Sequence, residues 1–324
     1  MKTRRLHFPG ALYWFSVCAG WLHAQPLQFT VTQRLTNNEI ALTLAAPVGR
    51  AYRIETGTTV SDWNGLITFP TNATTSLQHT DSAAPYLSAR FYRATQLTGS
   101  NIVAGDHLIT TNGDVIIQAR YHATFVMQWN GKMIYNDPDD LATYAGLPKA
   151  DLILISHDHS DHFSGPTIDA VRGPNAQIVV PPYVYNNNLS AAQKALAIVL
   201  TNGASTNVMG LNIDAIPAYN SYHPPGLGNG YVLTIGGKRI YISGDTGNTP
   251  EMRALTNIDV ACLCINQPYT MTVTDATNAV RAFRPKAVYP YHYQDQGGAT
   301  ANAAVFKQRL GTDLGIEVRL RKWY

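Results

Sequence analysis

The chain has 324 residues, 45% of them hydrophobic and 14% charged, which is enough for two domains or for one large domain with an appendage. So low a charge content excludes a disordered polyelectrolyte and fits a compact, neutral-surfaced protein. Without residues 1–24 the chain loses Lys2, Arg4 and Arg5 but no acid and is formally neutral. It then lacks the basic excess that holds a phosphate backbone, and no nucleic-acid partner is expected.

Residues 1–24 read as a secretory signal, with a basic start at Lys2-Thr3-Arg4-Arg5, an apolar run from Ala11 to Leu22 and Ala24 before the cleavage point. The run is well short of the ~20 residues that span a bilayer. The expectation is therefore a periplasmic or secreted protein with no stable membrane insertion after cleavage. Cys18 lies inside this run.

Residues 25–97 alternate apolar and polar positions in short runs (Leu27 to Val31, Glu39 to Leu44, Ala51 to Glu55) between Asn, Gly, Pro and Thr clusters. That pattern predicts a small all-β sandwich. Pro47 to Thr56, Trp63 and Ala89 to Ala94 resemble the immunoglobulin-like or fibronectin-like modules of secreted bacterial proteins. Such a module implies a cell-surface or polymer partner and no chemistry of its own.

Residues 98–101, with Gly99 and Ser100, read as a linker, and residues 102–324 change texture. Strands are predicted at Asp114 to Gln118, Thr124 to Gln128, Lys132 to Tyr135, Leu152 to Ile155, Ile178 to Val180, Tyr231 to Ile235, Arg239 to Ile242, Val260 to Ile265, Ala287 to Tyr291 and Ile316 to Leu320. Helices are predicted at Leu189 to Leu200, Glu251 to Leu255, Asp275 to Phe283 and Ala301 to Leu310. Strands first and strand-helix units later indicate a mixed α/β domain with helices covering sheets. Cys262 and Cys264, two apart on one strand, read as buried structural thiols.

The densest chemistry is Leu152-Ile153-Leu154-Ile155-Ser156-His157-Asp158-His159-Ser160-Asp161-His162. A buried strand ends, and three imidazoles and two carboxylates follow within six residues. Neutral imidazole nitrogen and carboxylate oxygen are ligands for zinc and related divalent cations, whereas a soft-metal site recruits thiolate. Alternate spacing aims His157 and His159 at one centre, and the following turn brings Asp161 and His162 to a second.

His157, His159, Asp161 and His162 match the His-x-His-x-Asp-His motif of the metallo-β-lactamase superfamily, which residues 102–324 resemble throughout. Ala218-Tyr219-Asn220, His223-Pro224-Pro225, Gly228 to Tyr231, Gly237 to Tyr241 and Ser243-Gly244-Asp245-Thr246 are most similar to the branch containing ascorbate-6-phosphate lactonase. The resemblance implies the αβ/βα sandwich fold and a dinuclear metal-dependent hydrolase acting on a small-molecule substrate.

Of the ten histidines only His223 and His292 follow the cluster. The resemblance then assigns one cation to His157, His159 and His223, a second to Asp161, His162 and His292, and Asp245 as the bridge. Zinc is the first expectation for both cations, with Mn2+ or Fe2+ as alternatives. Two such cations ~3.5–4 Å apart lower the pKa of a shared water enough to supply hydroxide near neutral pH. Asp161 and Asp245 are the catalytic candidates, Asp161 orienting that water or handling its proton.

Tyr222, Tyr269 and Thr270 are candidate substrate-binding donors, and Asp137 is expected to support a histidine from behind. His122 is read as a structural hydrogen-bonding residue. Tyr289, Tyr291 and Tyr293, on the face opposite His292, are read as core, and His79 and His107 show no partner in the sequence.

The bond could be that of an ester, lactone, amide or phosphodiester. A diiron electron-transfer role is disfavoured because His159 stands where that branch uses Glu. β-Lactam hydrolysis is an alternative that Asp245 weighs against. A non-catalytic scaffold acting through the β module is another, and the intact ligand set opposes it.

Overall fold

The computed structural model describes residues 5–8, 11–17, 27–99, 102–294, 297–300 and 302–324. They form two compact units. The first holds the described residues up to Ile109 together with Gly113–Gln118, and the second holds Thr110–Asn112 and the chain from Ala119 onward.

The first unit is all β. Gln28–Arg34, Ile40–Ala45 and Ser76–Asp81 make a three-stranded antiparallel sheet. Ala51–Gly57 lies between Arg90–Leu97 and Asn64–Phe69 in a second sheet. The two-residue alternation points Ile40, Leu42 and Leu44 of one sheet and Tyr52, Ile54, Tyr92 and Ala94 of the other into a shared core. The side chain of Asp81 is fully buried there, bonded to Arg90 Nε (2.6 Å) and accepting from Tyr92 OH (2.8 Å).

The first unit does not end at residue 97. Gly105–Leu108 pairs with Asn64–Phe69 and with the start of Val115–Tyr121. His107 is buried between Thr68 Oγ1 (2.8 Å) and Asp114 Oδ2 (2.7 Å), partners its sequence neighbourhood does not reveal. Within the segment read as an export signal, Ala11–Val17 runs parallel to Arg90–Leu97 and antiparallel to Arg5–Phe8. The rest of residues 1–24, and residues 100–101 of the expected linker, lie outside the described residues. Among the described residues no helix is long and apolar enough to cross a membrane.

The second unit contains two sheets. In the first, Thr124–Trp129 and Lys132–Asn136 form a hairpin, continued in parallel by Ala150–Leu154, Arg172–Val180 and Ala197–Val199. The other runs in the order Ser205–Val208, Leu211–Ala218, Gly228–Ile235, Lys238–Ile242, Val260–Cys264, Ala287–Tyr291, Glu317–Val318, and it is parallel from Lys238–Ile242 onward. Tyr231 OH donates to Ile155 O (2.7 Å) and Asn229 N to Ser156 O (2.9 Å), so the second sheet closes onto the end of the first.

Helices cover the sheets as the strand-helix alternation predicts. Val273–Phe283, capped by Thr272, buries Ala276, Ala279, Val280 and Phe283, and Phe283 meets Tyr241 edge to face at 5.9 Å. Cys262 and Cys264 are buried free thiols, and Tyr289, Tyr291 and Tyr293 are core, all as expected.

The helix expected at Leu189 to Leu200 is a correction. Only Ala191–Lys194 is helical, closed by a capping box of Ser190 and Gln193, after which Ala197–Val199 joins the first sheet beside Ile178, Val179 and Val180. The β-branched Ile198 and Val199 gain more from that edge than from a helix. The short helices Gly165–Val171 and Pro182–Asn187 carry too few apolar repeats to show in the sequence.

Candidate metal centre

The strand Ala150–Leu154 is paired on both sides at Leu152, Ile153 and Leu154. Its continuation turns at once: His162 N and Phe163 N both donate to His159 O (2.9 Å each), and Ser164 then caps Gly165–Val171. The turn is held by close backbone packing. A Cβ on Gly228 would sit 3.0 Å from Ser156 O and 3.2 Å from His157 Cβ. Gly244, at φ +58°, passes so near Asn229 O and Ser156 that a side chain there would collide.

Three later segments bring the remaining groups. His223 comes from the loop after Leu211–Ala218, Asp245 from the turn after Lys238–Ile242, and His292 from the end of Ala287–Tyr291. His157, His159 and His223 offer ligand atoms within 4.8 Å of one another, as do His157, His162 and Asp245, and likewise His122, Asp161 and His292. Asp245 lies among them all. Its Oδ1 is 3.3 Å from His162 Nε2, and its Oδ2 is 3.5 Å from His223 Nε2 and 3.4 Å from His292 Nε2. Asp161 Oδ2 is 3.3 Å from His292 Nε2 and 3.8 Å from His162 Nε2.

The groups behind this cluster set which nitrogen carries a proton. Asp137, at φ 42°, accepts from Ser156 N and Ser156 Oγ (2.7 Å each) and from His162 Nδ1 (2.9 Å), which leaves the Nε2 lone pair of His162 facing the centre. Ser156 Oγ, its own proton given to Asp137, accepts from His157 Nδ1 (3.0 Å). Asn220 Oδ1 takes His223 N and His223 Nδ1 (3.0 Å each), and Asn220 Nδ2 donates to Tyr269 O (2.9 Å).

His122 is the neighbour whose importance the sequence understates. Its Nε2 is 3.0 Å from Asp161 Oδ2, and its Nδ1 is 2.6 Å from Tyr324 OH. A carboxylate only accepts, so Nε2–H donates to Asp161 and a neutral imidazole receives the tyrosine proton at Nδ1. The backbone carbonyl of His122 also accepts from His292 N (3.1 Å). His122 (φ 52°) and His292 (φ 45°), like Asp137, hold left-handed backbone that L-residues rarely adopt. No local sequence signal marks these pairings, because His122 and Tyr324 are 202 residues apart.

Whether divalent cations fit can be judged from the donor atoms. His157 Nε2, His162 Nε2, His292 Nε2 and Asp245 Oδ1 are buried with no hydrogen-bond partner. Each such orphan costs on the order of 1–3 kcal/mol. Cations would satisfy all four, and the set of imidazole and carboxylate without thiolate suits zinc-like ions. The electrostatics agree. Burial pushes Asp161 and Asp245 up, but the histidines around them outweigh it and hold both well below the usual carboxylate range. Burial drives His157 well down, whereas Asp245 and Asp161 overcome burial and raise His162. The centre thus calls for positive charge, and cation binding would release a proton from it.

A cleft of about 680 Å³ opens on the cluster, lined by Tyr222 and Tyr269 and, beyond the expected residues, by Ser160, Asn266 and Gln294. Thr270 does not line it. Its hydroxyl accepts from Asn266 N (2.7 Å) and donates to Asn266 O (3.0 Å), closing its own turn.

Comparison with known proteins now fits this geometry. The β-lactamase superfamily domain matches residues 117–292, more than half of the chain. The chain belongs to the metallo-β-lactamase superfamily. Within this superfamily it is 30% identical over 210 residues to a UPF0173 metal-dependent hydrolase of Pyrococcus abyssi, covering 61% of this chain and 92% of that one. The crystal structure of a metal-dependent hydrolase from Parabacteroides distasonis aligns with TM-score 0.60 and 38% identity over 68% of this chain and 99% of that one. A metallo hydrolase of Ignicoccus hospitalis aligns with TM-score 0.56 and 27% identity over 64% and 95%. The protein is a metal-dependent hydrolase with the mixed α/β fold of this superfamily, preceded by an all-β region.

Proposed function

We propose that the protein is a two-cation hydrolase of a small-molecule ester, lactone, amide or phosphodiester. The observation that carries this is the place of Asp245, whose Oδ2 lies 3.5 Å from His223 Nε2 and 3.4 Å from His292 Nε2 and whose Oδ1 lies 3.3 Å from His162 Nε2, so that it reaches ligands of both sets. A carboxylate so placed is suited to bridge two cations, one at His157, His159 and His223 and one at Asp161, His162 and His292.

When bound, the cations supply an acidified water and positive charge against a polarised substrate oxygen. The protein's own groups do the rest. Asp137 and Asn220 fix His162 and His223 with their Nε2 lone pairs inward, and His122 holds Asp161 by one oxygen, so the site is oriented before substrate enters. No Ser or Cys nucleophile is required, and both retained thiols are buried away from solvent.

Zinc is the proposed ion at both positions, with Mn2+ or Fe2+ as alternatives. Elemental analysis of the purified protein should give close to two divalent ions per chain. Fully active material with at most one ion would overturn the two-cation reading. Export after removal of residues 1–24 remains part of the proposal, supported by the basic start and short apolar run, and the all-β region is assigned attachment to a surface or polymer.

A further inference from the structure

The walls of the cleft carry chemistry that the cation-binding residues do not account for. Tyr222 is 49% exposed, yet its ring stands edge to face against Tyr269 at 5.3 Å, forming an aromatic wall at the mouth. This wall is tied to the metal centre by one side chain. Asn220 accepts from Tyr222 N (2.8 Å) and from His223 and donates to Tyr269 O, so both rings stand in fixed register with a cation ligand.

Deeper in the cleft, Asn266 is only 5% exposed and gives Nδ2 to Gln294 O (2.7 Å), while its Oδ1 has no partner. A buried carbonyl oxygen left unmatched in a ligand cleft selects a ligand that brings a donor, because a ligand without one leaves it unsatisfied. No Lys or Arg lines the cleft among the described residues, and its fixed charges are the carboxylates of Asp161 and Asp245. Nothing outside the cation centre would therefore compensate an anionic group on the distal part of a substrate.

Resting on the hydrolase reading above, we propose that the cleft is a subsite for neutral, ring-bearing carboxylic esters, lactones or amides that stack on Tyr222 and Tyr269 and donate an O–H or N–H to Asn266 Oδ1. The ring packs into the corner that the two tyrosines form, on the face of one and against the edge of the other, with Asn266 lining the same cleft. A phosphorylated lactone of the kind implied by the ascorbate-6-phosphate lactonase branch does not match this lining.

The test uses the full metal-loaded chain, with binding and turnover read separately. Acetanilide carries the ring, carbonyl and N–H, and N-methylacetanilide replaces the donor hydrogen with a methyl group, whose bulk the Asn266→Ala comparison controls for. Calorimetric or NMR titration should show acetanilide binding roughly 5- to 20-fold tighter. Asn266→Ala should erase that difference, and Tyr222→Ala should weaken both ligands about tenfold while Tyr222→Phe leaves them unchanged. Tyr222 is exposed, so its variants fold even if Asn266→Ala does not.

In turnover, kcat/KM for phenyl acetate should exceed that for 4-acetoxybenzoate, which adds a carboxylate to the ring, by about tenfold. Equal binding of the two anilides, preference for the anionic ester, or Tyr222→Phe costing as much as Tyr222→Ala would each overturn the subsite. If the wild type binds acetanilide as stated but turns over only phosphodiesters, the subsite stands for ligand binding and the substrate class is wrong. A chain that holds at most one ion yet shows the acetanilide preference keeps the subsite and loses the two-cation reading.

Discussion

Asp245 faces the histidines of the centre directly, and His122 acts on it through Asp161. Replacing Asp245 with Asn keeps the volume and one oxygen but removes the charge that, on the two-cation proposal, would hold the cations together. Since losing even an outer partner of a metal ligand costs about 10–100-fold in affinity or activity, Asp245→Asn should lower cation affinity at least that much in a chelator-competition titration. Asp245 lies in a turn between Gly244 and Thr246, so the variant should keep a cooperative thermal transition. Unchanged metal content and turnover in both Asp245→Asn and His223→Ala would rule out the ligand set beyond the motif. His122→Ala should also weaken the cation held by Asp161, by about 10–100-fold. His122→Gln, whose amide N–H reaches the position of Nε2–H, should recover most of that loss. Equal losses in the two variants would show that His122 supports only packing.

At the scale of elements, the all-β unit has its own electrostatic keystone. Burial raises the Asp81 carboxyl, but Arg90 and Tyr92 more than offset this and hold it below its ordinary value. A depressed folded pKa means stability that is fully present above the unfolded value of about 3.9 and is lost as pH falls through the folded one. Asp81→Asn leaves Arg90 buried without its partner and should cost about 3 kcal/mol at neutral pH. The acid limb of the stability curve below pH ~4 should flatten, as thermal melts across pH would show. A steeper limb would contradict the pairing. The pairing of Gly105–Leu108 with Asn64–Phe69 also sets where the chain can be cut. Truncation at residue 97 leaves that strand with an open edge, and a chain beginning at Asp114 moves the open edge to Val115–Tyr121. The chain from Asp114 should retain hydrolysis of a small substrate, since the Pyrococcus relative is covered over 92% of its length by the shared region. An inactive, folded, metal-loaded chain from Asp114 would show that the first unit shapes the site.

For the whole molecule, cations bound as proposed would join four separate segments, so removing them should loosen more than the site. Chelation should abolish turnover and lower Tm, and zinc should restore both in a concentration-dependent way, because a ligand that binds only the folded state stabilises it by mass action. An unchanged Tm after verified metal removal would mean that the centre contributes nothing to folding. Much of this was legible in the chain itself. The buried run Leu152 to Ile155 followed by His157, His159, Asp161 and His162 declared both the strand and the chemistry, since a local motif needs only local spacing. Counting then left His223 and His292 as the remaining histidines for the site, and Gly244 marked the turn that presents Asp245. The pairings that orient those ligands were not legible: Asp137 behind His162, Asn220 behind His223, and Tyr324 behind His122 behind Asp161. Each joins residues whose sequence separation carries no periodic signal. The same holds for Ala197–Val199, where a vacant sheet edge outweighs local helix propensity, and for Asn266, whose open carbonyl exists only because Gln294 takes its amide. Local chemistry determined which atoms could bind metal, and only the closing of one sheet on the other decided where they point.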